Sequence, residues 1–325
     1  MKIGSLLVDG VQRYGIVDGD RIDLLTQSAD LFEVLASGTA EDATDGRSLP
    51  WTSESAVAVP VPIASIRDFI TFEQHTAGSL RAVTGAGEIP PAWYEAPAFY
   101  FSNPHAAIGS GTPVPMPPGC EVLDFELEVA AVIGIAGYNL TVEEAFDHVA
   151  GFTIFNDWSA RDLQGREMRV GMGAVKGKDT ATTLGPVLVT PEELADYQVG
   201  GHFDLAMEVF VNGTRMGGDT LANMAWNFAE LISYASRGTW VRPGDVLGSG
   251  TCGGGCLAEL WGWAGERQPP PLRIGDTVTM TVAGIGTIHN TVTAGPPLHP
   301  VPPATRRPVS APPDSLRPPG QDRGQ

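Results

Sequence analysis

The segment that most constrains this chain is Leu123–Gly134, whose second half is apolar and β-prone and therefore predicts a buried strand. Its first half contains Glu126 and Glu128, and residues two apart in a strand lie on the same face. Two neighbouring carboxylates at the end of a buried strand repel each other and lose hydration, which costs free energy unless a cation lies between them. An isolated pair of this kind is more often the solvated face of an edge strand, so the rest of the chain must decide.

Composition limits the classes of partner. The 325 residues include 38 acidic and 20 basic side chains, for a net charge of -18. Such a surface repels nucleic acid and anionic membranes, so an anionic substrate would need a metal ion or a local Lys or Arg. The sequence has no apolar run near the length of a membrane span and no signal-peptide pattern at its start. Three cysteines (Cys120, Cys252 and Cys256) give no disulfide framework, which favours a reducing, cytoplasmic location.

The chain divides into three parts by composition. Residues 1–62 predict a small N-terminal α/β domain without candidate chemistry, whose expected role is packing or dimer contact. Residues 63–295 contain all the candidate site residues. Residues 296–325 are rich in proline and poor in large apolar residues, and they predict a disordered tail. Because the predicted strands outnumber the helices, we expect an α+β fold that is mainly β.

Four local predictions concern the surroundings of a site. The uneven stretch Thr76–Pro97 predicts one or two helical turns and a loop, suitable as a mobile cover. The apolar run Cys256–Trp261 is predicted to be a strand. Gly248, Gly250 and Gly253 match the spacing of a dinucleotide-binding loop, but that motif requires a following helix, so we reject it. A zinc site made by the three cysteines is not expected, because no fourth soft ligand lies near them in sequence.

Four motifs follow one another in the second part of the chain. They are Phe125-Glu126-Leu127-Glu128, the run Asn156-Asp157-Trp158-Ser159-Ala160-Arg161-Asp162-Leu163-Gln164, Gly177-Lys178, and Gly248–Gly255 followed by Glu259-Leu260-Trp261. Together with Arg67-Asp68-Phe69 and Glu73-Gln74-His75, this order resembles the fumarylacetoacetate hydrolase family over roughly Ile66–Val292. The run that begins at Asn156 is the most specific of these motifs.

The resemblance implies a catalytic domain with a mixed β-roll, usually a homodimer, and Mg²⁺ or another hard divalent ion such as Mn²⁺ or Ca²⁺. Glu126, Glu128 and Asp157 match the metal ligands of the family, and Asp68 matches a fourth carboxylate present in part of it. Three or four oxygen ligands leave positions for water and a chelating substrate. Taken alone, Asp157 is more simply explained as a helix N-cap.

The resemblance also assigns catalytic roles. His75 matches the general base and Glu259 the carboxylate that orients it, and a His–Glu pair suits water activation near neutral pH. Lys178, Arg161 and Gln164 match positions that hold a developing oxyanion or a substrate carboxylate. Arg161 is explained equally well as an ion-pair partner of Asp162.

Three further positions are predicted to contact substrate. Thr251 lies in the glycine-rich loop that lets substrate approach the backbone closely. Ile70 and Asn103 stand where relatives carry a tyrosine and a Lys or Arg, respectively. These two departures weaken the case for fumarylacetoacetate itself and leave the metal chemistry unaffected.

The sequence therefore favours a metal-dependent hydrolase that cleaves a carbon–carbon bond in a 2,4-dioxo acid such as an acylpyruvate. An isomerase or an oxaloacetate-type decarboxylase could use the same residues, because both also pass through an enolate. A non-catalytic family member would be free to lose these side chains. A specialised step on a natural-product intermediate is suggested only by Ile70 and Asn103.

Overall fold

Strands dominate the chain, which is described here from a computed structural model covering residues 1–40 and 42–308. In these ranges the strands are β1 (Lys2–Val8), β2 (Val11–Asp18), β3 (Arg21–Leu25), β4 (Thr44–Pro50), β5 (Ser65–Phe69), β6 (Phe99–Ser102), β7 (Ala107–Ile108), β8 (Val114–Pro115), β9 (Leu123–Asp124), β10 (Leu127–Ile133), β11 (Gly137–Tyr138), β12 (Val149–Asp157), β13 (Ser159–Ala160), β14 (Thr182–Val189), β15 (Gln198–Val199), β16 (His202–Phe203), β17 (Ala206–Val211), β18 (Thr214–Thr220), β19 (Trp240–Val241), β20 (Asp245–Gly248), β21 (Thr277–Val282) and β22 (Gly286–Thr293). The helices are α1 (Leu31–Ser37), α2 (Glu73–Thr84), α3 (Val142–Ala145), α4 (Arg161–Met168), α5 (Phe228–Ser236) and α6 (Leu257–Ala264).

One long sheet organises the molecule. Its strand order is β4-β3-β2-β1-β14-β12-β10-β20-β5-β6, and β7 pairs with β14 to one side. Neighbours are antiparallel except for β20 with β5 and β14 with β7. A second sheet has the order β18-β17-β21-β22-β8. The α+β, mainly β, fold expected from the sequence is confirmed.

The first four strands continue the long sheet, because β1 pairs antiparallel with β14. The proposed boundary at residue 62 therefore falls in a segment between strands of one sheet, and it stays a prediction. Residues 296–308 contain no helix or strand. The rest of the predicted disordered tail, residues 309–325, lies outside the described residues.

Strand β10 lies at the centre of the core. All seven of its residues are buried, because both faces of the sheet are covered. Val129 and Ala131 pack in one apolar cluster, whereas Ala130 and Val132 pack in another. The alternation of side chains along a strand therefore divides this run between two cores. Within the described ranges, no helix is long and apolar enough to cross a bilayer.

The prediction of a strand at Cys256–Trp261 is wrong, because this segment begins helix α6. The carboxylate of Asp124 accepts hydrogen bonds from the backbone N–H groups of Leu257 (2.8 Å) and Ala258 (2.9 Å). A carboxylate at a helix N-terminus satisfies free N–H donors and favours the helix. A helix therefore does follow the glycine-rich loop, so our reason for rejecting a dinucleotide site was wrong. The mostly antiparallel sheet still differs from the parallel sheet that the motif requires.

The predicted cover contains more regular structure than the sequence indicated. Helix α2 runs for twelve residues and ends at Gly85, which adopts a left-handed conformation with φ of 77°. It packs against α6, and a Cβ atom on Gly262 would collide with the backbone oxygen of Gly78. These two glycines let the helices approach closely. The first turns of α2 are therefore held against the protein.

Candidate metal centre

Four buried carboxylates meet near the middle of the long sheet. Asp68 lies near the end of β5, Glu128 lies in β10, and Asp157 ends β12. Glu126 lies in the short break between β9 and β10 and is 5% exposed, whereas the other three are 0–3% exposed. The strand order β12-β10-β20-β5 explains the convergence, because β12, β10 and β5 each contribute an acidic side chain near the same edge of the sheet.

The fourth strand, β20, contributes space. A Cβ atom on Gly248 would lie 2.6 Å from Asp68 Oδ1 and 3.0 Å from Glu128 Oε2. Any larger side chain would push these carboxylates apart. Glycine at this position is therefore what allows the two groups to face each other across β20.

The donor set fits a hard divalent cation. One ligand oxygen each from Asp68, Glu126 and Glu128 lies within 4.8 Å of the others. The Oδ1 atoms of Asp68 and Asp157 are buried and accept no hydrogen bond from the described residues. A buried carboxylate oxygen without a partner is costly, and carboxylate oxygens are preferred ligands of Mg²⁺ and Mn²⁺. These four side chains would hold the ion.

One side of the carboxylate cluster is compensated by cations. The ammonium of Lys178 contacts Glu126 and lies 2.5 Å from Asp157 Oδ2. Arg161 donates to Glu126 Oε1 at 2.7 Å and also to Asp124. Although burial acts in the opposite direction, the charges of Lys178 and Arg161 hold the pKa of Glu126 well below its usual range. Glu126 is therefore ionised at any physiological pH.

The other side of the cluster has hydrogen-bond donors in place of cations. Glu128 accepts from the backbone N–H of Gly250 at 2.9 Å and from the Thr251 hydroxyl at 3.3 Å. Burial and then the charge of Asp68 raise the pKa of Glu128 well above its usual value. Burial and then the charge of Asp157 raise the pKa of Asp68 to about 8. This side therefore gains most from a bound cation.

Tyr100 was missed by the sequence interpretation. Its hydroxyl donates to Asp68 Oδ2 at 2.9 Å and also contacts Asp157 Oδ2. It reaches the cluster because β6 pairs with β5 so that Tyr100 lies opposite Asp68. The alternation in Phe99-Tyr100-Phe101 is visible in the sequence, but this pairing is not.

A histidine–glutamate pair lies beside the cluster. His75 Nδ1 is 3.6 Å from Glu259 Oε2, and both side chains are buried. Glu259 is held by Gly254 N at 2.7 Å, by Gln74 Nε2 at 3.0 Å and by Trp263 Nε1 at 3.3 Å. Although burial opposes it, the contact with His75 lowers the pKa of Glu259. Glu259 can therefore orient His75 as an ionised partner.

Residues 66–293 match the family described as fumarylacetoacetate (FAA) hydrolase, C-terminal. The chain belongs to the fumarylacetoacetate hydrolase family. It is 31% identical to the oxaloacetate tautomerase YisK of Bacillus subtilis over an alignment of 243 residues, and this alignment covers 74% of each chain. It is 28% identical over 284 residues to the fumarylacetoacetase of Arabidopsis thaliana, which covers 73% of this chain and 66% of that relative.

Solved structures agree with this family assignment. The fumarylacetoacetate hydrolase from the psychrophile Exiguobacterium antarcticum superposes with a TM-score of 0.69 at 25% identity, over 90% of this chain and 99% of that chain. The 5-carboxymethyl-2-hydroxymuconate delta-isomerase from Mycobacterium smegmatis has a TM-score of 0.67 at 23% identity, over 90% of this chain and all of the other. The second comparison shows the shared fold alone. The relatives reported above thus include a fumarylacetoacetase and an oxaloacetate tautomerase.

The alternatives considered for two of the motif residues are wrong. Asp157 ends β12, and the residue that caps α4 is Ala160, so Asp157 is not a helix N-cap. Arg161 pairs with Asp124 and Glu126, whereas Asp162 accepts from the backbone N–H of Glu121 at 2.7 Å. Both residues of the specific motif therefore face the carboxylate cluster.

The other predicted residues lie around the edge of the site. Gln164 Oε1 accepts from Arg161 at 3.1 Å. Asn103 donates a hydrogen bond to Asp179 Oδ1 at 2.6 Å and so fixes the residue next to Lys178. The backbone oxygen of Ile70 accepts from Trp93 Nε1 at 2.9 Å. Contact of Ile70 and Asn103 with substrate stays a prediction.

Proposed function

We propose that this protein is a divalent-metal-dependent hydrolase that cleaves a carbon–carbon bond in a 2,4-dioxo acid such as an acylpyruvate. The observation that carries this proposal is the His75–Glu259 pair, which lies beside four buried carboxylates. Mg²⁺ or Mn²⁺ held by these carboxylates would supply a Lewis acid that stabilises negative charge on the 2-oxo acid portion of the substrate. Membership of the family supports the class of reaction, and the choice of substrate is our own.

His75 would act as the general base. Glu259 Oε2, which lies 3.6 Å from His75 Nδ1, would accept a hydrogen bond from Nδ1–H, and Nε2 would then face a water molecule. The water adds its oxygen to the distal carbonyl carbon, and its proton passes to His75. When the carbon–carbon bond breaks, that proton goes to the departing carbon. The products are a free carboxylic acid and a 2-oxo acid, so atoms and charge balance.

Lys178 and Gln164 would stabilise the oxyanion that forms when water adds. An ammonium has three N–H donors, and Lys178 uses two of them on Glu126 and Asp157. The third donor would be available to an oxygen of the substrate. Donors fixed in a buried site stabilise developing charge far better than mobile water does. Arg161 would contribute by holding Glu126 and Gln164 in place.

A tautomerase is the second candidate, because the relative that is 31% identical is an oxaloacetate tautomerase. Proton transfer between carbon and oxygen also needs a base near a metal ion, and His75 could serve. The two functions differ in whether water is added. Oligomeric state and cellular location stay predictions; we expect a homodimer in the cytoplasm.

A substrate panel tests the proposal. The purified protein is mixed with several acylpyruvates, fumarylacetoacetate and enol-oxaloacetate, each with Mg²⁺, with Mn²⁺ and with chelator. Chelator-sensitive release of pyruvate and a free acid from the acylpyruvates is the expected result. Conversion of enol- to keto-oxaloacetate with intact acylpyruvates would overturn the hydrolase proposal in favour of the tautomerase. Release of carbon dioxide from oxaloacetate would make it a decarboxylase.

The role of His75 is tested by His75→Ala. Loss of a general base should lower kcat by about 10²–10⁴-fold. Binding of Mg²⁺, measured by calorimetry, should be preserved, because His75 is not among the four carboxylates. His299→Ala, at an exposed position, is the matched control and should keep full activity. Normal turnover by the His75 variant would exclude it as the base.

A further inference from the structure

A second group of potential metal ligands lies next to the carboxylate cluster. His75 Nδ1 or Nε2, Cys256 Sγ and a carboxylate oxygen of Glu126 all lie within 4.8 Å of one another. All three side chains are buried. Cys256 Sγ is 3.6 Å from His75 Nδ1. Cys256 therefore has two potential co-ligands that the sequence did not place beside it.

The spacing and chemistry of this group differ from those of the carboxylate cluster. In a tetrahedral zinc site, bonds of about 2.3 Å to sulfur and about 2.05 Å to nitrogen put these two atoms about 3.6 Å apart. The observed distance between Cys256 Sγ and His75 Nδ1 is 3.6 Å. Thiolate and imidazole ligands favour Zn²⁺ and Co²⁺, whereas an all-oxygen set favours Mg²⁺ and Mn²⁺.

We propose that Cys256, His75 and Glu126 form a second metal site, selective for Zn²⁺ and similar thiophilic ions. A fourth position would be taken by water, which gives the three-ligand arrangement known for open zinc sites. Binding replaces the thiol proton of Cys256 with the metal ion, and that proton passes to solvent. No oxidation or reduction takes place.

An ion in this second site would inhibit the enzyme, a consequence that rests on the proposed function. His75 Nδ1 is also the atom that faces Glu259 Oε2 at 3.6 Å, so a metal bound to Nδ1 removes the orienting contact. Glu126 is shared with the carboxylate cluster. The catalytic and inhibitory uses of these side chains therefore exclude each other. Catalysis by Mg²⁺ would be sensitive to Zn²⁺ even when Mg²⁺ is in large excess.

Cys256 has a structural role that must be separated from metal binding. Its sulfur accepts a hydrogen bond from the backbone N–H of Glu259 at 3.4 Å and so caps helix α6. Serine is a strong N-cap residue, so Cys256→Ser keeps the cap while it removes the thiolate. Cys252 is equally buried and lies in the same loop, but it belongs to no metal-ligand group among the described residues. Cys252→Ser is therefore a matched control.

The test is a titration of Co²⁺ into the metal-free protein, followed by the sulfur-to-cobalt charge-transfer absorbance. This band requires a thiolate ligand and no substrate. Wild type and Cys252→Ser should develop it with one equivalent of Co²⁺, and Cys256→Ser should lose it. An absent band in wild type, or an unchanged band in Cys256→Ser, would overturn the site.

Inhibition is measured separately on whichever substrate of the panel turns over. Zn²⁺ should inhibit wild type and Cys252→Ser, and Cys256→Ser should need about tenfold more Zn²⁺ or more. Equal inhibition of all three proteins would overturn the inhibitory role. If no substrate of the panel is turned over, the proposed function fails, whereas the cobalt band still decides whether the site exists.

Discussion

Glu126 and Glu128 are two residues apart in sequence and lie in one cluster, yet their surroundings are opposite. Glu126 contacts Lys178 and Arg161, and its pKa is held well below the usual range despite burial. Glu128 faces another carboxylate, Asp68, and its pKa is raised well above the usual value by burial and by that charge. The two sides of the cluster thus combine a compensated ion network with a group that lacks a cation.

The difference allows one cluster to be stable and to bind a divalent ion, as we propose. The cost of burying a carboxylate is offset only when cations contact it closely, as Lys178 and Arg161 contact Glu126. A buried pair of carboxylates without a cation is unfavourable, and binding of a divalent ion relieves that cost. We therefore expect mutations on the two sides to act differently, and four experiments test this.

Removal of Lys178 should have the largest effect. Lys178→Met leaves Glu126 and Asp157 with one fewer cation in a buried site, and breaking a buried ion pair costs about 3–5 kcal/mol. Chemical denaturation measures the loss in the free energy of unfolding. Lys176→Met is the control, because Lys176 pairs with Asp179 at the surface and should change stability by less than about 1 kcal/mol. Similar small losses in both variants would mean that Lys178 does not compensate the cluster.

Replacement of Glu128 should act on metal binding. Glu128→Gln removes one ligand charge from the side without cations, and we expect the affinity for Mg²⁺ or Mn²⁺ to fall by about 100-fold or more. Isothermal calorimetry provides the measurement. Glu259→Gln, which changes the carboxylate beside His75, should keep the affinity within a fewfold. Unchanged affinity in the Glu128 variant would remove this residue from the ligand set.

Loss of the Tyr100 hydroxyl should have a moderate effect. Tyr100→Phe removes the donor shared by Asp68 and Asp157, and a hydrogen bond to a charged group contributes about 2 kcal/mol. The expected result is a lower free energy of unfolding in chelator, together with a smaller loss when Mg²⁺ is present. Tyr138→Phe, at an exposed position, should be neutral. Equal stability of the two variants would show that the hydroxyl is dispensable.

The change in the free energy of unfolding with pH should be the smallest effect, counted per pH unit. Burial raises the pKa of Asp68 to about 8, so the folded protein keeps a proton that the unfolded chain loses above about pH 4. The unfolded state then binds fewer protons, and the free energy of unfolding in chelator should fall by up to about 1.4 kcal/mol per pH unit between these values. Above about pH 8 the contribution of Asp68 levels off. The raised pKa of Glu128 also lowers the free energy of unfolding as pH rises.

Asp68→Asn should reduce this slope, and Asp18→Asn, at an exposed position, should preserve it. Binding of Mg²⁺ near neutral pH should also release a proton from wild type, visible as a buffer-dependent heat, and release less from the Asp68 variant. A slope that survives in Asp68→Asn would assign the raised pKa to another group.

Much of the site could be predicted because its ligands occur in short, recognisable motifs. Glu126, Glu128 and Asp157 are assigned as ligands by the resemblance of their motifs to those of the family. Tyr100 and Gly248 were not predicted, because their roles depend on strand order. β20 lies between β10 and β5, and its Gly248 pairs with Asp68, which is far away in sequence.

Helix α6 shows why local patterns failed elsewhere. The run that begins at Cys256 is short and apolar, and such runs are ambiguous between strand and helix. The carboxylate of Asp124 decides the matter by accepting the first N–H groups of the helix. That carboxylate lies more than a hundred residues earlier in the chain, so no local pattern could reveal it.

The arrangement of Asp68, Glu128 and Asp157 on β5, β10 and β12 has a consequence for folding. These three carboxylates come together only after the three strands and β20 have assembled, so a metal ion held by them would bind the assembled sheet and not its separate strands. Bound Mg²⁺ should therefore slow amide hydrogen exchange in all four strands by a common factor. The bound ion would therefore make the four central strands of the sheet unfold together, as one cooperative unit.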